Sequence, residues 1–221
     1  MSEFENKTIT PWGYMADAEF IPDLLTASEY DGYTGSKFHG DARINACIPS
    51  ASAAIRDYCG WHISPNLTCG IFYRVADLRD AFVGKDLLVQ LPATYVTAVK
   101  KVILNATWNE DEQKAEGDVI TDFDYETNGL LRIYDADVCD RRSKIFVKYE
   151  AGFPEYFQTD AVKELAANLV SHSVTNTYGV NSETVGGVSV SYNSVLTGRS
   201  PITLSADTRE VLNHYKVRGV F

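Results

Sequence analysis

The stretch Asp41-Ala42-Arg43-Ile44-Asn45-Ala46-Cys47-Ile48-Pro49-Ser50-Ala51-Ser52-Ala53-Ala54-Ile55-Arg56-Asp57-Tyr58-Cys59-Gly60 carries the strongest helical signal in the chain. Ile44, Cys47, Ile48, Ala51, Ile55 and Tyr58 recur at spacings of three and four, which is one face of an α-helix. Asp41 sits where an N-cap acceptor is wanted, and Gly60 where a left-handed residue closes a helix. Pro49 removes a backbone donor and clashes one turn back, so a kink or break is expected there. The small residues Ser50 to Ala54 leave room for a second helix to approach. That second helix is read from Thr159 or Asp160, with Val162, Leu165, Ala166, Leu169, Val170 and Val174 on one apolar face and Tyr178-Gly179 at its close.

Between these helices the period changes from helical to alternating. Ile71 to Val75, Leu87 to Leu91, Val99 to Leu104 and Lys144 to Tyr149 read as strands. Asp122 to Glu126 and Leu130 to Tyr134 flank Thr127-Asn128-Gly129, and Asn-Gly between two such runs predicts a hairpin. Ahead of the first helix, Thr26 and Glu29 have the spacing of a capping box on a short helix. Residues 1–20 are aromatic and aperiodic and read as an N-terminal arm. After the second long helix, Gly186-Gly187 opens the alternating run Val188 to Tyr192, and a last helix starts near Ser205.

The expected fold is therefore α+β. A small helical bundle of two long helices, with short and C-terminal helices, carries a β-rich insertion between the long ones. Its parts are an arm at 1–20, the first part of the helical body at 21–67, the insertion at 68–150, and at 151–221 the second long helix, a short strand or hairpin and a docking helix. No internal repeat is visible.

Composition narrows the function. The chain has 221 residues, 45% hydrophobic, with 20 basic and 30 acidic side chains for a net charge of −10. That excess repels phosphates and argues against broad nucleic-acid binding. From Thr159 onward the charges balance, so the acidic surplus lies earlier in the chain. No run is long and apolar enough to span a membrane, and the acidic Met1-Ser2-Glu3-Phe4-Glu5 does not read as a signal peptide. Cys47, Cys59, Cys69 and Cys139 lack paired spacing and read as small buried thiols of a reducing compartment. The asparagines of three glycosylation-like triplets are then chance matches.

Chemistry-bearing motifs are sparse. Asp122-Phe123-Asp124 starts like a calcium loop, but Thr127 stands where its glycine belongs and Ile133 where its glutamate belongs. Glu164 and His172 share a helix as a solvated face. Gly186-Gly187 precedes a strand, not the helix that a phosphate cradle needs. Trp12, Trp61 and Trp108 read as core aromatics rather than a stacking platform. No nucleophile elbow, phosphate loop, dinucleotide fingerprint or zinc-protease motif is present.

The segment Asp41-Ala42-Arg43-Ile44 with Ser50 to Ile63, followed by a β-rich stretch and then Tyr149-Glu150-Ala151-Gly152-Phe153-Pro154, resembles tailed-bacteriophage head–tail connector proteins, also called head-completion or adaptor proteins. The Gly186 to Tyr192 strand and the helix with Tyr215-Lys216-Val217-Arg218 resemble them too, so that the likeness spans roughly residues 24–221. It implies a structural virion protein of the neck, assembled in the host cytoplasm, with no catalytic residue, metal or cofactor. It implies a ring, usually twelvefold, beneath the portal protein, which extends the DNA channel and offers a platform for a stopper or tail-completion protein. DNA would pass through without specific binding. Val188, Val190 and Tyr192, with Val211, Leu212, Tyr215, Arg218 and Phe221 of the terminal helix, are the candidate interface residues: a short strand and a short helix each need a surface to dock on. Two other readings stay open, a cytoplasmic enzyme or ligand-binding protein with its site in the β-rich section, and another phage neck or baseplate component.

Overall fold

The computed structural model describes residues 3–136, 142–154, 159–175, 182–185, 188–191 and 204–217. The chain divides into two compact units. One comprises residues 1–22, 59–157 and 215–221, the other residues 23–58 and 158–214.

The first unit is built of antiparallel strands. They are β1 (Lys7–Ile9), β2 (Met15–Asp17), β3 (Leu67–Arg74), β4 (Phe82–Val83), β5 (Asp86–Gln90), β6 (Val96–Asn109), β7 (Lys114–Ile120), β8 (Phe123–Tyr125), β9 (Leu130–Ile133) and β10 (Lys144–Ala151). A six-stranded sheet has the order β1-β2-β3-β10-β6-β7, and a four-stranded sheet the order β4-β5-β9-β8. Strand β10 lies between β3 and β6 and is buried at Ile145, Phe146, Val147, Tyr149 and Ala151, as a central strand with β-branched and aromatic side chains should be. The Asn128-Gly129 hairpin forms between β8 and β9. Gly129 has φ 89°, and a Cβ there would lie 2.4 Å from the Ala93 carbonyl oxygen, so only glycine fits.

The N-terminal residues belong to this unit. Thr8 pairs with Ala16 across a hairpin, and Met15 pairs with Gly70 of β3. Tyr14 is buried, and its hydroxyl lies 2.7 Å from Nδ1 of the equally buried His62 and accepts from the His62 backbone N–H at 3.1 Å. Nε2 of His62 lies 3.0 Å from the Ala151 carbonyl oxygen. Every polar atom of that imidazole thus has a partner, the condition for burying it.

The second unit holds α1 (Ala27–Thr34), α2 (Arg43–Cys59, whose last residue falls in the first unit), α3 (Asp160–Thr175), the hairpin β11 (Ser182–Val185) and β12 (Val188–Ser191), and α4 (Ala206–Leu212). The capping box at Thr26 and Glu29 is present with both hydrogen bonds. Asp41 accepts from the Arg43 backbone N–H at 2.9 Å, and the Arg43 guanidinium holds its carboxyl down to about 2. Helix α2 continues through Pro49. Helix α3 buries Val162, Ala166, Ala167, Leu169, Val170 and Val174. Its main helical neighbour is α1, where Tyr30 Oη lies 3.0 Å from Ser171 Oγ and Lys163 pairs with Glu29.

This corrects the expected fold class. Among the described residues the molecule is β-rich, with sheets of six and four antiparallel strands and four short α-helices, and it is not a bundle of two long helices with an insertion. The physical reason is where large side chains are buried. Trp61, Tyr14, Tyr149, Phe146, Leu87, Leu91, Ile103 and Leu104, all fully buried, lie on or beside the sheets. The apolar faces of α2 and α3 include Ala51, Ala166 and Ala167, which remove little surface from water.

Candidate docking interface

The region expected to dock begins with β11 and β12. Val185 pairs with Val188 and Glu183 with Val190, in a two-stranded hairpin that joins neither larger sheet. A two-stranded hairpin is marginal alone in water and gains from a further strand. Among the described residues, the strand of Val188 and Val190 has one partner, β11. Tyr192 lies outside the described residues.

Helix α4 starts at Ser205, whose Oγ accepts from the Thr208 backbone N–H at 3.2 Å. Its two apolar candidates part ways: Leu212 is fully buried, whereas Val211 is 39% exposed. Just beyond the helix, Asn213 accepts a hydrogen bond from the Tyr58 hydroxyl at 2.8 Å. In the first unit, the Tyr215 carbonyl oxygen accepts from the Trp61 indole N–H at 2.6 Å, and the Tyr215 ring stands edge-on to Phe153 at 5.7 Å between centroids. Burial pushes the Tyr215 hydroxyl pKa up. The Val217 backbone N–H donates to the Cys59 carbonyl at 3.0 Å. Leu212 and Tyr215 are thus engaged within the chain, Val211 presents apolar surface, and Arg218 and Phe221 lie outside the described residues.

The thiols are poor nucleophiles where they are buried. Burial raises Cys59 to about 12 and pushes Cys69 higher still, and both keep their protons at neutral pH.

A second region escaped the reading of the sequence because it depends on register. On β10, Lys148 stands opposite Lys101 of β6 and Phe146 opposite Phe72 of β3. Like charges directly opposed repel. Glu3 resolves this pair: its carboxylate lies 2.7 Å from Lys101 Nζ and 3.2 Å from Lys148 Nζ. Burial pushes the Glu3 carboxyl up, but the two ammonium groups outweigh it and its pKa is lowered. Beside it, Phe4 is buried with Ile103, Ala106, Ala115 and Phe146. Its ring fits because Gly70 has no Cβ, which would lie 2.6 Å from Phe4 Cζ. The only sequence signal was the acidic-aromatic-acidic order Glu3-Phe4-Glu5, which names no partner.

No curated protein matches the chain. A profile of the head completion proteins matches residues 23–217, from ahead of α1 to beyond α4. The chain therefore belongs to the head completion protein family.

Proposed function

We propose that this protein is an adaptor of the tailed-phage neck. It completes the DNA-filled head by assembling as a ring, of about twelve copies in the resemblance described above, beneath the portal protein. The ring continues the DNA channel and carries the stopper or tail-completion protein. The observation that carries this reading is the family match over residues 23–217, which makes the chain a structural phage protein of head completion that associates with other head components in the virion. The net charge of −10 supports the channel role, since a wall that DNA must slide past should not hold phosphates.

The docking elements in this reading are β12, with Val188, Val190 and the following Tyr192, and the end of the chain, with Val211, Arg218 and Phe221. A short strand paired, among the described residues, on one side suits strand addition to a partner sheet. Leu212 and Tyr215 hold this region in place from within, so their part in docking is to position it.

The test is electron microscopy of the full chain mixed with rings of its cognate portal protein. Portal rings capped by an added layer are expected. A variant lacking Arg218 to Phe221 should melt like the parent and leave the portals bare. Uncapped portals with the parent protein would refute the adaptor reading, and capping by the shortened variant would move the contact away from the chain end.

A further inference from the structure

The face of the six-stranded sheet that receives Glu3 and Phe4 continues along β3 and β10 to a second pair of opposed cations. Register places Gly70 opposite Lys148, Phe72 opposite Phe146, and Arg74 opposite Lys144. These alternate residues point to one side of the sheet. At the first end of this row Glu3 lies between Lys148 and Lys101. At the other end, among the described residues, no carboxylate pairs with Arg74 or Lys144. Among the described residues, Arg74, Lys144, Arg142 and Lys7 have no ion-pair partner. Arg142 and Lys144 line a groove of about 490 Å³ together with Trp108, and Lys7 Nζ lies 4.5 Å from the Trp108 ring centroid. Arg142 and Lys144 on the groove, Arg74 opposite Lys144 and Lys7 over Trp108 thus gather four cations with no ion-pair partner among the described residues, and in a chain of net charge −10 such a cluster favours an oxyanion.

We propose that this groove docks an acidic segment of a partner protein, whose carboxylates sit between Arg74 and Lys144 as Glu3 sits between Lys101 and Lys148. The chain's own Glu3-Phe4 is the internal precedent: carboxylate on the cation pair, aromatic ring on the row of Phe72 and Phe146. A duplex DNA backbone fits less well. The neighbouring β6–β7 hairpin carries Glu110, Asp111, Glu112, Glu116 and Asp118, which repel a long polyanion more than a short peptide whose charges are local. This inference stands on the first unit alone and does not depend on the adaptor reading.

The test uses the full chain, fluorescein-labelled hexaglutamate as probe and fluorescence anisotropy at low ionic strength. The double variant Arg74→Gln/Lys144→Gln should weaken binding about tenfold or more, because both charge-assisted contacts are lost. The double variant Lys85→Gln/Lys100→Gln makes the same change in net charge at the exposed pairs with Asp135 and Glu150, and it should stay within about twofold of the parent. No binding by the parent, or equal weakening in both variants, would overturn the proposal. So would a 20-base-pair duplex that outcompetes the peptide and is itself released by Arg74→Gln/Lys144→Gln, which would assign the groove to nucleic acid. Thermal melting gives a second readout. With the opposed charges gone, the free Arg74→Gln/Lys144→Gln protein should melt no lower than the parent, and a lower midpoint or failure to fold would make these residues structural and overturn the proposal.

Discussion

In the unit that holds the sheets, Phe4, Tyr14, Trp61, Phe146, Tyr149 and Phe153 are buried; in the helical unit, among the described residues, Tyr30 is the one buried aromatic. The polar atoms differ in the same sense. His62, Tyr14 and Ala151 form a closed buried network in the first unit, and the Trp61 indole is satisfied by Tyr215. In the helical unit the Leu24 backbone N–H donates to the buried Ser52 Oγ at 3.0 Å, and the Thr26 cap and the pair of Glu29 with Lys163 are more exposed. An aromatic ring removes some 150–250 Å² from water, several times what an alanine does. Among the described residues the sheet unit therefore buries the larger aromatic area, and the helical unit relies on aliphatic side chains such as Leu25, Ile55 and Val170 and on local caps.

The largest expected effect lies at Trp61. Replacing it with alanine leaves a cavity and removes the donor to Tyr215, for a loss of about 3–5 kcal/mol in urea unfolding. In the helical unit, Thr26→Ala removes the cap that accepts from the Glu29 backbone N–H at 3.2 Å, for a loss of about 0.5–2 kcal/mol. Equal losses at the two sites would break the comparison between the units. The smallest effect is set by pH. The lowered pKa of Glu3 means that its ion pairs add stability above the ordinary carboxyl value of 4.5, and that this stability is lost as pH falls through the lower folded value. Glu3→Gln should therefore melt below the parent at pH 7, and the two melting curves should converge under acid. A gap that persists at pH 2 would mean that Glu3 acts by packing alone.

What could be read in the sequence was local. The capping box at Thr26, the turn at Asn128-Gly129 and the helix closed by Gly60 with φ 79° are each written within a few residues. The two long amphipathic patterns are real as helices α2 and α3, but they misled on fold class, since a pattern shows which face is buried and not how much area that face removes from water. The sheet order was out of reach for another reason. The pairing of Met15 with Gly70, and of β10 with both β3 and β6, joins segments far apart in the chain, and no turn residue encodes it. The candidate interface was legible as elements, the Gly-Gly strand and the terminal helix. That Leu212 and Tyr215 are engaged within the chain was not, because an apolar face looks the same whether it meets its own fold or another protein. The opposed cations needed the strand register, which places Lys144 against Arg74 across 70 residues of sequence.

The hydrogen bond from Trp61 to Tyr215 spans 154 residues and so has a meaning for the order of synthesis. A ribosome adding about 5–20 residues per second needs roughly 8–30 s to supply the acceptor after the indole has emerged. Throughout that interval the indole N–H of the nascent sheet unit has no Tyr215 carbonyl to donate to, so this one link of the unit is completed only as the last residues of the chain are made.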